Sequence, residues 1–191
     1  MEKAIIRNDV NLVMIGGSAG SLEVIIDIMP VLHREMSAAL VIVLHRKPSE
    51  SILPDLLASK TALEVVEVEE KIQIRPATIY IAPPDYHLLI EKTQQFSLDF
   101  SEKVNFSRPS IDVSFESAAD VFGNKLAGVL LSGANADGKE GLAAIRKAGG
   151  VSIAQDPKEA SVEYMPLHAI NNNAAEFVLN LEQMKKWFAG L

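Results

Sequence analysis

The chain has 191 residues, of which 48% are hydrophobic and 23% charged, the balance of an ordinary soluble globular domain. It contains no cysteine, which excludes disulfides and thiolate metal sites. The formal charge of -7 argues against nucleic acid, which needs a basic face to displace counterions. No apolar run approaches the ~20 residues of a membrane span, and the N-terminal MEKAIIRNDV lacks the apolar core of a signal peptide. One cytoplasmic domain over residues 1–191, without membrane insertion, is the expectation.

Taken in chain order, short runs rich in Val, Ile and Leu predict strands at Asn11–Ile15, Leu40–Leu44, Leu63–Val68, Thr78–Ala82, Leu126–Leu131, Val151–Ala154 and Glu176–Leu179. Most are apolar on both faces, as in a parallel sheet covered by helices on each side. Helical periodicity marks Ser21–Met29, Ser51–Ala58, Ser110–Phe122, Gly138–Lys147 and Leu181–Phe188. Pro30 should stop or kink the first helix. His87–Glu91 and Gln95–Asp99 read as an exposed hairpin inserted between parallel strands. The fold class is α/β: a three-layer α/β/α, doubly wound, mainly parallel sheet of about seven strands plus that hairpin.

In such sheets, ligands sit outside the carboxyl ends of the strands. Three polar clusters fall there: GGSAGS after the first strand, HRKPS after the second, and SGANADG after Leu126–Leu131. GGSAGS admits three readings: a phosphate cradle, the seat of a nucleophile, or a flexible turn. It lacks the G-x-G-x-x-G spacing and the Gly-Lys-Ser/Thr of a Walker loop. Gly16-x-Ser18-x-Gly20 does match the G-x-S-x-G elbow, in the strand–turn–helix setting that pattern needs.

A serine nucleophile needs a base, and the base an orienting carboxylate. Only His45 of the four histidines closes an apolar strand, and its alternative is a polar strand end. His33 reads as a cap near the end of the first helix. His87 opens the hairpin, and His168 follows Met165-Pro166 in a further helical stretch. Asp137 follows a strand and precedes a helix, where helix capping is the alternative role. Asp85, Asp112 and Asp156 remain competing acids. The order Ser18, His45, Asp137 differs from the Ser…Asp/Glu…His order of α/β-hydrolases.

At these residues the chain resembles the catalytic domain of the chemotaxis protein-glutamate methylesterases (CheB type). That family's I-G-x-S-x-G-G is matched by Ile15-Gly-Gly-Ser18-Ala-Gly-Ser21, and its strand-ending histidine by Val43-Leu-His45. Y-I-A-P-x-x-x-H is matched by Tyr80 to His87, and R-P-S-V-D by Arg108-Pro-Ser-Ile-Asp112. G-V-x-L-[ST]-G-x-x-x-D-G is matched by Gly128 to Gly138, with later A-Q-D and M-P at Ala154-Gln-Asp156 and Met165-Pro166.

The resemblance implies a hydrolase that demethylates glutamates, and in many members deamidates glutamines, on methylated chemoreceptors. It implies Ser18 as nucleophile, His45 as general base and acid, and Asp137 as the residue orienting His45. The backbone amides of Ala19 and Ala134 would hold the oxyanion, with no metal or cofactor required. Arg46, Arg108 and Met165 are candidate substrate-binding residues. With Lys47 and Lys139, the two arginines form a basic set around the site that would steer an acidic partner. The chain departs from the family at Ala134, where methionine is usual, and at Ser21, where glycine is usual. A receiver domain usually precedes the catalytic domain, but only ten residues precede the first expected strand here. The chain is then expected to be a stand-alone esterase, a subunit controlled by a separate regulatory protein, or a fragment of something longer. The alternative function is a catalytically silent signalling domain of the same fold.

Overall fold

The computed structural model describes residues 9–47 and 52–191. The N-terminal stretch and residues 48–51, with the expected helix start at Ser51, lie outside the described residues. The elements in chain order are β1 (Leu12–Gly17), α1 (Ser21–Ile28), β2 (Ala39–Leu44), α2 (Leu53–Ala58), β3 (Glu64–Glu67) and β4 (Thr78–Ile81). They continue with β5 (His87–Ile90), β6 (Phe96–Asp99), α3 (Ile111–Phe122), β7 (Leu126–Leu130) and α4 (Lys139–Lys147). The last are β8 (Val151–Gln155), α5 (Tyr164–Asn171), β9 (Phe177–Leu179) and α6 (Leu181–Phe188).

Among the described residues, seven strands form one parallel sheet in the order β3-β4-β2-β1-β7-β8-β9. Because strand side chains alternate between faces, each central strand feeds two cores. Val13 and Ile15 of β1, with Leu40 and Ile42 of β2, pack against α1, α2 and α6. Leu12 and Met14, with Val41 and Val43, pack against α3, α4 and α5 on the other face. This double burial explains why the strands read as continuous apolar runs.

The chain leaves β1 toward one face through α1 and leaves β7 toward the other through α4. β1 and β7 are neighbours, so their divergent exits open a crevice at their carboxyl ends, where such folds bind ligands.

Several boundaries depart from expectation. β1 runs two residues further than its apolar stretch and carries Gly16 and Gly17 into the sheet. The reason at Gly16 is close approach: a Cβ there would stand 2.5 Å from Cγ2 of Ile111 in α3. The first helix ends at Ile28, and Pro30 lies in a following 3-10 turn, Met29–Val31. His33 therefore caps nothing; it pairs with exposed Glu35 at 3.5 Å. The hairpin β5–β6 is a separate antiparallel sheet. It is not simply exposed, because Leu88, Ile90 and Phe96 bury one face in the α3 core.

α3 holds the site side of the fold together through Phe115, whose side chain is fully buried. Its atoms lie 3.1 Å from a Cβ built on Gly16, 3.4 Å from one on Gly128 and 2.5 Å from one on Gly141. One side chain thus fills the space those glycines leave, its ring against β1 and β7 and its Cβ against α4. Phe115→Ala should destabilise the protein by about 3–5 kcal/mol, the usual cost of emptying a buried aromatic site. Urea unfolding should show a lower midpoint at unchanged slope, and an unchanged midpoint would contradict this packing role.

Candidate active site

The backbone registers Gly17 of β1 against Leu44 of β2, so Ser18 and His45 leave the sheet side by side. The His45 amide donates to the Gly17 carbonyl at 3.1 Å and continues the ladder to that point. Ser18 then turns sharply into α1 through Gly20, whose φ of 79° is a left-handed conformation that glycine adopts without steric cost. The Ser18 carbonyl accepts from the Ser21 amide at 3.1 Å and the Ser21 hydroxyl at 2.6 Å. Ser21, in place of the family's glycine, therefore ties the turn to the first residue of α1.

The loop after β7 braces this turn from the other side. The Ser132 carbonyl accepts from the Ser18 amide at 2.9 Å, while its hydroxyl lies 2.7 Å from the Ala19 carbonyl. Gly133 is pressed between two neighbours: a Cβ there would stand 1.9 Å from Met165 Sδ and 2.8 Å from Ser18 Cβ. Met165 is 1% exposed, so it supports the Gly133 loop from beneath instead of offering a surface to substrate. The Gly133 amide donates to the Val162 carbonyl. No described residue accepts from the amides of Ala19 or Ala134, and both residues are exposed.

Asp137 joins these parts. Its side chain is fully buried, and its Oδ2 lies 2.8 Å from His45 Nε2. The same oxygen accepts from the Ile111 amide at 2.6 Å. Oδ1 accepts from the Ser110 hydroxyl at 2.8 Å, the Asp112 amide at 3.0 Å and the Asn105 amide group at 3.3 Å. Asp137 thus sits at the N-terminus of α3, where free amides and the helix dipole favour an anion. It does not cap its own helix, since Gly138 occupies the N-cap of α4.

Burial alone would raise the Asp137 pKa. The bond from His45, the amides of Asp112 and Ile111, and the Ser110 hydroxyl outweigh that effect and hold it below its ordinary value. Asp137 is therefore an ionised acceptor, and the shared ring proton belongs to His45 Nε2. Ser18 Oγ makes no hydrogen bond among the described residues, and catalytic hydrogen bonds commonly tighten only once substrate is bound.

Asp112 lies directly beside this anion, 4% exposed. Asn105 Nδ2 donates to Asp112 Oδ2 at 2.9 Å as well as to Asp137, and the Gly141 amide donates to Asp112 Oδ1 at 2.7 Å. Burial pushes the Asp112 carboxyl up to about 7, against the pull of the Gly141 amide and with the help of the Asp137 charge. Glu116, one turn along α3, is also raised, by burial and by repulsion from Glu140, Asp120 and Asp137.

The other sequence candidates are placed as follows. Arg46 donates to Glu67 at 3.0 Å and to the Ala82 carbonyl at 3.2 Å. Arg108 donates to the Ser101 carbonyl at 2.7 Å and stacks 3.8 Å above the Phe100 ring. Both line a 260 Å³ pocket that includes His45. His87 is buried, with Nδ1 accepting from the Ser110 amide and Nε2 beside the Glu102 carbonyl; it braces the start of α3. His168 stacks on Tyr164 in α5. Sequence reasoning passed over Asn105, Ser110, Ser132 and Asn135. For Ser110 and Ser132 the signal was their place in the matched motifs; Asn105 and Asn135 carried none. No group of three or more His, Asp or Glu side chains suited to a metal occurs among the described residues. Likewise, no described helix is long and apolar enough to cross a membrane.

The model of the CheB methylesterase family matches residues 13–188. The chain belongs to this family. A Leptospira interrogans relative, provisionally named protein-glutamate methylesterase/protein-glutamine glutaminase, is 42% identical over 94% of this chain and 93% of its own length. A protein-glutamate methylesterase/protein-glutamine glutaminase of Thermotoga maritima is 34% identical over 88% of this chain and 50% of its own length. The crystal structure of the Thermotoga maritima CheB methylesterase catalytic domain superposes with a TM-score of 0.89 at 32% identity, over 94% of this chain and 97% of that one.

The raised Asp112 pKa has a consequence for stability. Between its ordinary value of 3.8 and about 7, the folded protein keeps a proton that the unfolded chain has released, so stability falls as pH rises through that window. Asp137 works in the opposite sense and at lower pH: its contribution is present above its ordinary value and lost as pH falls toward the folded one. Asp112→Asn removes the first effect. The melting temperature of this variant relative to the parent should therefore rise between about pH 5 and about pH 8. A difference independent of pH would contradict the raised carboxyl.

Proposed function

We propose that this CheB-family protein hydrolyses glutamyl γ-methyl esters on methylated receptor-type signalling proteins, with Ser18, His45 and Asp137 as its catalytic triad. The single observation that carries the reading is the 2.8 Å bond from His45 to buried Asp137, at a histidine registered beside the Ser18 turn. Ser18 Oγ attacks the γ-carbonyl carbon while His45 Nδ1 takes its proton. The developing oxyanion is held by the Ala19 and Ala134 amides, which no described residue engages. Collapse of this intermediate expels methanol, protonated by His45. Water, deprotonated by the same imidazole, then attacks the acyl-enzyme and releases glutamate and Ser18. With glutamine the same route releases ammonia, consistent with the paired activities for which the relatives are named.

The alternative of a silent binding domain gains no support, because those relatives are named for catalysis and the Ala134 substitution leaves the loop's amide free. A separate regulatory protein and a cytoplasmic location belong to this proposal. The Thermotoga maritima relative has about half its length outside the matched stretch, whereas the Leptospira interrogans relative is matched over 93% of its own length.

Ser18→Ala should lower methanol release from a methylated receptor substrate by at least about a thousand-fold, with the circular dichroism spectrum unchanged. Retained methanol release would remove Ser18 from the nucleophile role. Gly133→Ala should also lower kcat, since its methyl group must displace Ser18 or Met165. Parent-like kcat there would contradict the tight seating of the nucleophile.

A further inference from the structure

A strained turn stands directly above the triad. Asn105 and Phe106 adopt φ values of 49° and 61°, left-handed conformations that non-glycine residues hold only where the surroundings impose them. The turn is held by its surroundings. Asn105 donates to Asp112 and Asp137. Asn135, on the loop before Asp137, donates to the Asn105 carbonyl at 2.8 Å and the Ser107 hydroxyl at 3.0 Å. Val104 and Ser107 exchange backbone hydrogen bonds across it. This fixed frame presents Phe106 outward, 97% exposed. A large aromatic side chain on a rigid strained turn, with no packing of its own, is a contact surface without its partner.

The ground on either side of Phe106 is unequal. One flank is the 260 Å³ pocket lined by His45, Arg46, Lys47, Asp85, Lys103 and Arg108, among others. Its lining holds four Lys and Arg side chains and one carboxylate, with Arg46 also paired to Glu67 at 3.0 Å, in a chain whose net charge is -7. Arg46 Nε and Nη1 and Arg108 Nε are buried there without a hydrogen-bond partner among the described residues. The other flank is a 290 Å³ pocket lined by Asn105, Ala134, Asn135, Ala136 and the half-exposed Tyr164. That flank reaches the loop whose amide would hold the oxyanion.

We infer that Phe106 is the docking knob for an acidic protein segment, which lays apolar side chains against Phe106 and Tyr164 and places a carboxylate near the ester in the Arg46–Arg108 pocket. The inference rests on the esterase reading and adds specificity residues to it. The chemistry of the partner follows from charge complementarity: a basic pocket on an acidic protein attracts anionic side chains and repels a cationic segment. The Phe106 ring supplies the rigid apolar contact that dominates small interfaces.

The test uses three substrates: p-nitrophenyl acetate, a peptide with one glutamyl γ-methyl ester among glutamates and leucines, and the same peptide with its free glutamates replaced by glutamine. Phe106→Ala should lower kcat/KM on the acidic peptide by about tenfold or more, mainly through KM, and leave p-nitrophenyl acetate hydrolysis at the parent rate. The parent should prefer the acidic peptide over its neutral counterpart by about fivefold or more at low salt, and lose this preference at high salt. Unchanged turnover of the acidic peptide by Phe106→Ala would overturn the inference, as would a parallel fall with p-nitrophenyl acetate. Equal use of both peptides by the parent would overturn the carboxylate pocket. Failure of the esterase reading shows separately, as p-nitrophenyl acetate hydrolysis that survives Ser18→Ala.

Discussion

One buried carboxylate organises this molecule. Asp137 has no exposed side-chain surface, and an anion in that position is stable only when surrounded by donors. The chain supplies them from three places: His45 at the end of β2, the first amides and the capping hydroxyl of α3, and Asn105 from the turn above. The bond that orients the histidine is therefore part of the bond set that fixes where α3 begins. Helix α3 in turn presses Ile111 and Phe115 against Gly16 in β1, two residues before Ser18. Fold and site share the same contacts.

This sharing shapes the electrostatics. Donors hold Asp137 ionised, whereas at its neighbour Asp112 burial and the Asp137 charge outweigh the Gly141 amide, so the second carboxyl retains a proton near neutrality. A protonated Asp112 can donate to Asp137, and the pair then carries one negative charge opposite the imidazole. Asn105 touches both carboxyls and also begins the turn that exposes Phe106. A change in that turn is thereby connected to the proposed triad through one side chain.

The architecture was legible because its causes are local. Strands buried on both faces read as continuous apolar runs, and the clusters at their carboxyl ends marked where chemistry belongs. Ser18, His45 and Asp137, the residues proposed for the chemistry, stood out for that reason. The donors around Asp137 were less so: Asn105, Ser110 and the Asp112 amide reach it across 25 to 32 residues of sequence, and nothing local announces such a bond. Asp137 itself looked equally like a cap for the helix that follows it, whereas it serves the preceding one. The single buried face of the hairpin depends on packing against α3, which no hairpin pattern encodes. His33 misled because the helix stops at Ile28, before the 3-10 turn that holds Pro30.

The central claim is that Asp137 holds His45 by Nε2 and leaves Nδ1 as the base. Nitrogen-15 NMR of the histidine-labelled protein tests it most directly. A protonated Nε2 on His45 in a strong hydrogen bond and an unprotonated Nδ1 are expected, with that bonded proton lost in Asp137→Ala. A His45 proton found on Nδ1, or an Nε2 signal indifferent to removal of Asp137, would contradict it.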